Sequence, residues 1–467
     1  MEIQNANKSV YTYLPWLNAL CLFMQTLDGT ILNTALPSIA KSMNQSPLDV
    51  QSVIVSYTLT LALFIPLSGW LSDKLGTKKI FVWAVGIFTL GSLLCGLSPN
   101  LPLLIMSRIV QAIGGAMMVP VARLAVLYTF PKDKLLKVMN FITIPALIGP
   151  VIGPSIGGWI VENASWHWIF FVNIPIGIIL MLMAARYMPD YKRPVGSFDK
   201  IGLFLFSIAL VLITLGFELA SGGQTRTWVI LSCIAVALIF LFFYIVHARR
   251  VKNPLIDLGY FKIRTLKVGI LGNLFTRLGI GGVPFLIPLL LQIGFGKSAQ
   301  IAGFILIPSA VANLVAKPLV VPLVKRLGYK AVLLSNTILL AIIVFMFSFP
   351  TTDTPLYYFI PLMFVYGMVN GIQLTAMNTI SLADLDNNNA SGGNSIIAIM
   401  QQLSMSFGVS VAGFLLSKYS SWDEVTGGEI TTAFKYSFMT LGVITLLSSA
   451  VFFLLKPSDG DNMSGHK

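Results

Sequence analysis

Pro66-Leu-Ser-Gly-Trp-Leu-Ser-Asp-Lys-Leu-Gly-Thr-Lys78 closes an apolar run that begins near residue 50. Crossing a bilayer takes about 20 apolar residues, so the run is long enough to span one. It ends in a glycine that permits a tight turn and in lysines, the composition of a short cytoplasmic loop. A second copy lies in the other half of the chain. Pro318 to Lys330 reads PLVVPLVKRLGYK and agrees with the first stretch at six of thirteen positions. Parallel repeats of six spans are one architecture of secondary transporters, and the pair of loops predicts that arrangement here.

The rest of the chain has the same character. Of 467 residues, 56% are hydrophobic and 10% charged, with a mean hydropathy of +0.82. A soluble domain carries about 25% charged residues, so there is too little charge here to clothe a water-exposed surface. Disorder is excluded by the apolar content. About fourteen apolar windows of spanning length recur, the first near 12–36 and the last near 434–455. The reading is an all-α polytopic membrane protein with 6 + 2 + 6 transmembrane helices. It divides into an N-terminal six-helix bundle over 1–190, two additional helices and a cytoplasmic linker over 191–267, and a C-terminal six-helix bundle and tail over 268–467. Most of the 31 Lys and Arg fall in loops on the side of the two termini. That bias places both termini in the cytoplasm and the chain in a bacterial cytoplasmic (inner) membrane, as a multi-pass protein.

The net charge of +13 follows from those loops. The longest basic segment, His247 to Lys267, lacks the interleaved aromatics that stack bases, so no nucleic-acid partner is expected. Cys21, Cys95 and Cys233 all sit in apolar windows, which gives no disulfide or zinc framework. His167, His247 and His466 are scattered, and no phosphate-binding loop is present. The expected partners are a small-molecule substrate and the lipid bilayer, with the protein a monomer, no metal, no cofactor, no catalytic residue and a proton as coupling ion.

Five motifs share one resemblance. Gly69-Trp-Leu-Ser-Asp-Lys-Leu-Gly-Thr-Lys-Lys79 resembles the signature loop of the major facilitator superfamily. Leu27-Asp-Gly-Thr-Ile-Leu-Asn-Thr-Ala-Leu-Pro37 resembles the first-span motif of its fourteen-span drug:proton antiporter branch. Arg108-Ile-Val-Gln-Ala-Ile-Gly-Gly-Ala116 is similar to the fourth-span motif, with Ala112 where glycine is usual. Gly149 to Gly158 is similar to the antiporter motif of the fifth span, comprising Gly149, Pro150, Gly153, Pro154, Gly157 and Gly158. Trp166 to Gly177 follows the branch pattern with His167 where arginine is common. The resemblance implies the major facilitator fold, proton-driven export and a proton-relay role for Arg108.

Among the 18 acids, Asp28 alone lies deep in an apolar window. An aspartate at a helix centre costs about 2.5 to 3.5 kcal/mol on insertion scales, so it needs a partner or a wet cavity. Arg108 is the natural partner, with Gln111 on the same helix face at i and i+3. Asp28 and Arg108 read either as a proton-coupling pair or as a static ion pair that fixes packing. Asp73, an acid in a basic loop, reads as a latch toward the start of the thirteenth span near Gly392 to Ser395, or as an ordinary solvated acid. With Gly69, Lys74, Gly76, Lys78 and Lys79 it forms the candidate cytoplasmic gate. Gly149, Gly153 and Gly157 share one face and allow close helix approach, while Pro150 and Pro154 weaken the helix.

Arg123, Arg277 and Lys317 lie in apolar windows beside Arg108, which gives four cations against Asp28 and makes a cavity attractive to anions. Asn33, Gln111, Asn273, Gln292, Gln373, Asn378 and Gln401 offer hydrogen bonds to a substrate or between helices. The function these features indicate is proton-coupled antiport that exports drug-like amphipathic compounds by alternating access. Organic anions such as carboxylates or siderophores are the rival cargo.

Overall fold

The computed structural model describes the backbone of residues 2–221, 227–252, 254–385, 390–422 and 426–461. All regular structure among them is helical. The long helices are α1 (Glu2–Ile31), α2 (Ser52–Leu75), α3 (Thr77–Gly96), α4 (Leu101–Thr129), α5 (Lys132–Asn163), α6 (Asn173–Tyr187), α7 (Lys200–Ser221), α8 (Thr227–Ala248) and α9 (Arg264–Ile280). The continuous run Ala299–Met346 turns at Gly328 (φ 75°, ψ 159°) and is two helices, α10 over 299–327 and α11 over 329–346. The last three are α12 (Phe359–Leu382), α13 (Ala390–Ser420) and α14 (Ile430–Ser448).

Eleven helical stretches among the described residues are long and apolar enough to cross a membrane. One of these is the α10–α11 run, and α1 and α5 are long helices beside them, so the described chain holds fourteen long helices. Local chemistry sets their ends. The Asn100 side chain accepts from the Leu103 N–H at 3.0 Å with Pro102 in the first turn, an N-cap that starts α4. Gly76, at φ 106°, stops α2 in a conformation open to glycine.

Helices α1 to α6 pack among themselves, as do α9 to α14. The two sets meet along α2 against α13 and along α5 against α10. Helices α7 and α8 pair with each other, and α7 lies across α2 and α13. The apolar core shows how the halves are disposed. At the end away from the basic loops one continuous cluster joins Ile31, Leu36, Val53 and Ile160 to Phe285, Leu306, Val344 and Phe438. Toward the basic-loop end the core divides into one cluster within α1 to α6 and another within the second half. A third cluster, with Leu63, Phe206, Tyr244 and Ile397, bridges them on the α2, α7 and α13 side. The halves therefore share one continuous core at one end, while at the other their cores are separate and are joined along the α2, α7 and α13 flank.

Small residues make the seal. A methyl group on Gly158 would strike the carbonyl of Ala299, and one on Gly303 would strike the carbonyl of Pro154, so α5 and α10 cross backbone to backbone. Gln300 N–H donates to Glu162 Oε1 at 3.3 Å across the same crossing.

Each half also folds its last segment back onto its own copy of the repeated loop. After α6, the Tyr191 N–H donates to Thr77 Oγ1 (3.0 Å) and the Thr77 N–H to the Tyr191 carbonyl (3.1 Å). After α14, Gly460 (φ 86°) lies against Tyr329, and Asp459 pairs with Arg264. Burial alone would push the Asp459 carboxyl up. The Arg264 guanidinium and the Lys456 N–H outweigh it and hold the group below the usual carboxylate value.

The crossing makes a direct prediction. Gly303→Leu is expected to lower stability by about 1–3 kcal/mol, the usual range for overpacking. It should also speed maleimide labelling of a cysteine placed at Ile305, which is buried in the sealed core. Unchanged labelling in the folded variant would show that this crossing is not the seal.

Candidate functional site

Asp28 sits in α1 four residues before the helix gives way to the tight turn Leu32–Thr34. Its side chain is 1% exposed and that of Arg108 2%. Arg108 Nη1 donates to Asp28 Oδ2 at 2.9 Å and to Gln111 Oε1 at 2.6 Å. Gln111 Nε2 donates to Asp28 Oδ1 at 2.9 Å and to Ser92 Oγ at 2.7 Å. Asn173, in the first turn of α6, donates from Nδ2 to Asp28 Oδ1 at 2.8 Å. The guanidinium lies 4.2 Å from the ring centre of Tyr57 on α2, a cation–π contact, and Phe170 stands on another side. Five helices thus converge on one carboxylate. The sequence identified Asp28, Arg108 and Gln111. Asn173, Ser92 and Tyr57 carry no signal beyond their residue type, although Asn173 lies within the quoted branch pattern.

The fifth-span glycines pack as their spacing requires. A methyl at Gly149, Gly153 or Gly157 would meet Thr26, Thr30, or Ile31 and Thr34 of the α1 segment. Thr30 Oγ1 approaches the Gly149 carbonyl at 3.4 Å, and Thr34 Oγ1 donates to that of Pro154 at 3.1 Å. This threonine ladder holds the helix that bears Asp28 against α5, and Gly158 extends the seam to α10. The ladder was not foreseen, because threonines in helices commonly bond their own preceding carbonyls, as Thr26 and Thr30 also do.

Asp73 is engaged within its own half. Tyr128 donates to Asp73 Oδ1 at 3.2 Å, the Arg193 N–H donates to the Asp73 carbonyl at 2.9 Å, and the Arg193 guanidinium lies 3.8 Å from the Tyr128 ring centre. Gly76 faces Asp190, whose Oδ1 accepts the Lys78 N–H at 3.2 Å. Lys74 and Lys79 rest on the rings of Trp70 and Trp83. At the start of α13, Gly392 lies against Tyr260, while the side chains of Ser391 and Ser395 lie outside the described residues. Asp73 is thus held by Tyr128 and the segment after α6, and Gly69 lies half-buried one turn earlier on α2.

The remaining polar residues separate into different roles. Gln373 is fully buried: it donates to Thr337 at 2.8 Å and accepts from Asn336 at 2.9 Å, which ties α12 to α11. Its amide is spent on hydrogen bonds between helices, the second of the two roles open to this set. Gln292 is likewise a tie between halves, donating to the Thr34 carbonyl at 3.2 Å at the sealed end. Asn33 is half-buried in the adjoining turn, and Arg123 is exposed on α4. Asn378 accepts from Gln401 at 2.7 Å, both half-buried.

Asn273 Oδ1 accepts from Arg277 Nε at 3.5 Å on α9. Among the described residues no carboxylate pairs with Arg277 or with the half-buried Lys317. Among the described residues, these two cations of the second half thus stand without a carboxylate. No group of side chains suited to a metal ion occurs among the described residues.

Comparison with known proteins follows these features. A profile of the family described as the Major Facilitator Superfamily matches residues 19–256 and 269–466. The chain is 44% identical over 438 residues to a protein of Pectobacterium carotovorum named for multidrug resistance, MdtD, covering 94% of each. It is 42% identical over 439 residues to MdtD of Escherichia coli O9:H4, covering 94% of this chain and 93% of that one. Among solved structures, a D-xylose–proton symporter superposes with a TM-score of 0.69 at 15% identity, over 96% and 99% of the two chains. An inward-facing bacterial homologue of the human lysosomal transporter Spinster gives 0.66 at 17% identity, over 95% and 96%. At these identities the structures speak for the fold alone.

Breaking one member of a buried ion pair strands the other, typically at about 3–5 kcal/mol. Arg108→Leu is expected to lower stability by that order in thermal unfolding of the detergent-solubilised protein. Adding Asp28→Asn should recover a large part of the loss, and a strictly additive double variant would refute the pairing.

Proposed function

The chain belongs to the Major Facilitator Superfamily and is a multi-pass transporter of the bacterial inner membrane; from that premise we propose that it is a proton-coupled antiporter exporting small, drug-like amphipathic molecules from the cytoplasm. The observation that carries this reading is the position of Asp28: an ionisable carboxyl removed from water, held by Arg108, Gln111 and Asn173, in a molecule whose halves share one core at one end and keep separate cores at the other, joined there along one flank. Intramembrane charges mark ion pathways as a rule.

When Asp28 is ionised, Arg108 is bound to it and the bundle around α1, α4 and α6 is drawn together. When Asp28 takes up a proton, the attraction lapses and Arg108 rests on Gln111 Oε1 and the Tyr57 ring. The α1 helix bears this carboxyl and is clasped to α5, which crosses α10 at the seal, so a change at Asp28 has a packed route to the contact between halves. Energy is sufficient: a charge crossing 100 mV releases about 2.3 kcal/mol, enough for roughly a fifty-fold gradient at about 1.4 kcal/mol per decade. The cycle needs no further cofactor, and a single chain contains both halves.

A second reading of the cargo rests on a specific feature. Arg277, with Asn273 beside it, and Lys317 lack carboxylate partners among the described residues. Unneutralised cations favour organic anions such as carboxylates or siderophores.

Everted membrane vesicles with an imposed pH gradient test both readings over neutral, cationic and anionic compounds. Asp28→Asn is expected to abolish proton-driven accumulation, a drop of at least tenfold, while downhill exchange persists; undiminished uphill transport would end the proposal. Arg277→Ala and Lys317→Ala should leave efflux of amphipathic dyes intact if drugs are the cargo, and selectively abolish anion efflux if anions are.

A further inference from the structure

The two oxygens of the Asp28 carboxylate are unequal. Oδ1 accepts from Gln111 Nε2 (2.9 Å) and from Asn173 Nδ2 (2.8 Å), whereas Oδ2, among the described residues, accepts from Arg108 Nη1 alone (2.9 Å). Each oxygen of an ionised carboxylate offers two lone pairs. Oδ1 is therefore saturated, and Oδ2 keeps one lone pair free for a proton. Gln111 is committed on every side, to Ser92 and Asp28 through Nε2 and to Arg108 through Oε1. Asn173 reaches Oδ1 from a different helix, is itself 1% exposed, and lies at the break between the short helix Trp168–Phe171 and α6.

We infer that Asn173 is a positioning residue: by occupying the second lone pair of Oδ1 it directs the incoming proton to Oδ2, the oxygen that holds Arg108. The inference rests on the proton-coupling reading of Asp28. A protonated Oδ2 becomes a hydroxyl, a much poorer acceptor, and a guanidinium has only N–H donors. Proton arrival and release of Arg108 are then one event. Without Asn173 a proton can settle on Oδ1 while Oδ2 still binds Arg108, and the two events separate. The other ionisable groups around the carboxyl are Arg108 from α4, Tyr57 from α2 and Cys95 from α3, while α5 presents its glycines to α1. None of these contacts Oδ1 in place of the asparagine.

The test needs no knowledge of the cargo. Hydrophobic carbodiimides modify protonated buried carboxyls, so the labelling of Asp28 in the purified full-length protein can be followed against pH by peptide mass spectrometry. In Asn173→Leu and in the smaller Asn173→Ser, the pH of half-labelling is expected to rise by about one unit, the scale of one lost hydrogen bond to a charged group. Asn173→Gln, which keeps the amide, should return it toward the native value. In proteoliposomes with trapped pyranine, the Leu and Ser variants should leak protons down a pH gradient at least tenfold faster than the native protein, and adding Asp28→Asn should stop the leak. An unchanged midpoint and an unchanged leak in either folded variant would overturn the role of Asn173. Neither result depends on transport, so the coupling role of Asp28, judged by the flux of its own Asn variant, stands or falls separately.

Discussion

A carboxylate taken out of water must be repaid by partners that come from elsewhere in the chain. Asp28 draws its donors from α4 and α6, with Arg108 packed in turn on α2 and Gln111 bonded to α3. The first six helices are thereby tied through one buried charge rather than through apolar packing alone, which between membrane helices is a weak guide to register because lipid tails are as apolar as leucine. Neutralise the charge, and the donors that were matched to an anion are left facing a hydroxyl.

Much of this was legible because charge is scarce in apolar windows. Asp28 and Arg108 stood out for what they cost, and Gln111 followed from helical spacing. The division of Ala299–Met346 into two spans was legible from Gly328 and its counterpart Gly76, since both loops need a backbone conformation that glycine adopts freely. Asn173 was not, since a single amide near the start of a span looks the same whether it faces a carboxylate or lipid, and its partner lies 145 residues away. Gln373 and Gln401 illustrate the same limit. Both are glutamines in spans of the second half, yet one is consumed between α11 and α12 while the other stays half-buried against Asn378. Residue type gives hydrogen-bonding capacity; only the crossing of helices decides how it is spent.

The two halves repeat each other in architecture and differ in charge. Each first helix breaks just beyond an ionisable residue: Asp28 before the turn at Leu32, Arg277 before the break at Gly281. Each repeated loop is fastened by the segment that follows the last helix of its half. The acid of the first loop, Asp73, is replaced by Lys325 in the second. The first half neutralises its intramembrane acid locally, while in the second Arg277 and Lys317 have no carboxylate partner among the described residues.

The added pair, α7 and α8, lies on one flank only. Helix α7 covers the seam between α2 and α13, whereas among the described residues the seam between α5 and α10 has no such cover. A lipid chain sliding along the first flank meets a helical wall, whereas on the second it meets the α5–α10 crossing itself. The added pair therefore gives the molecule a one-sidedness that two unadorned six-helix halves would lack.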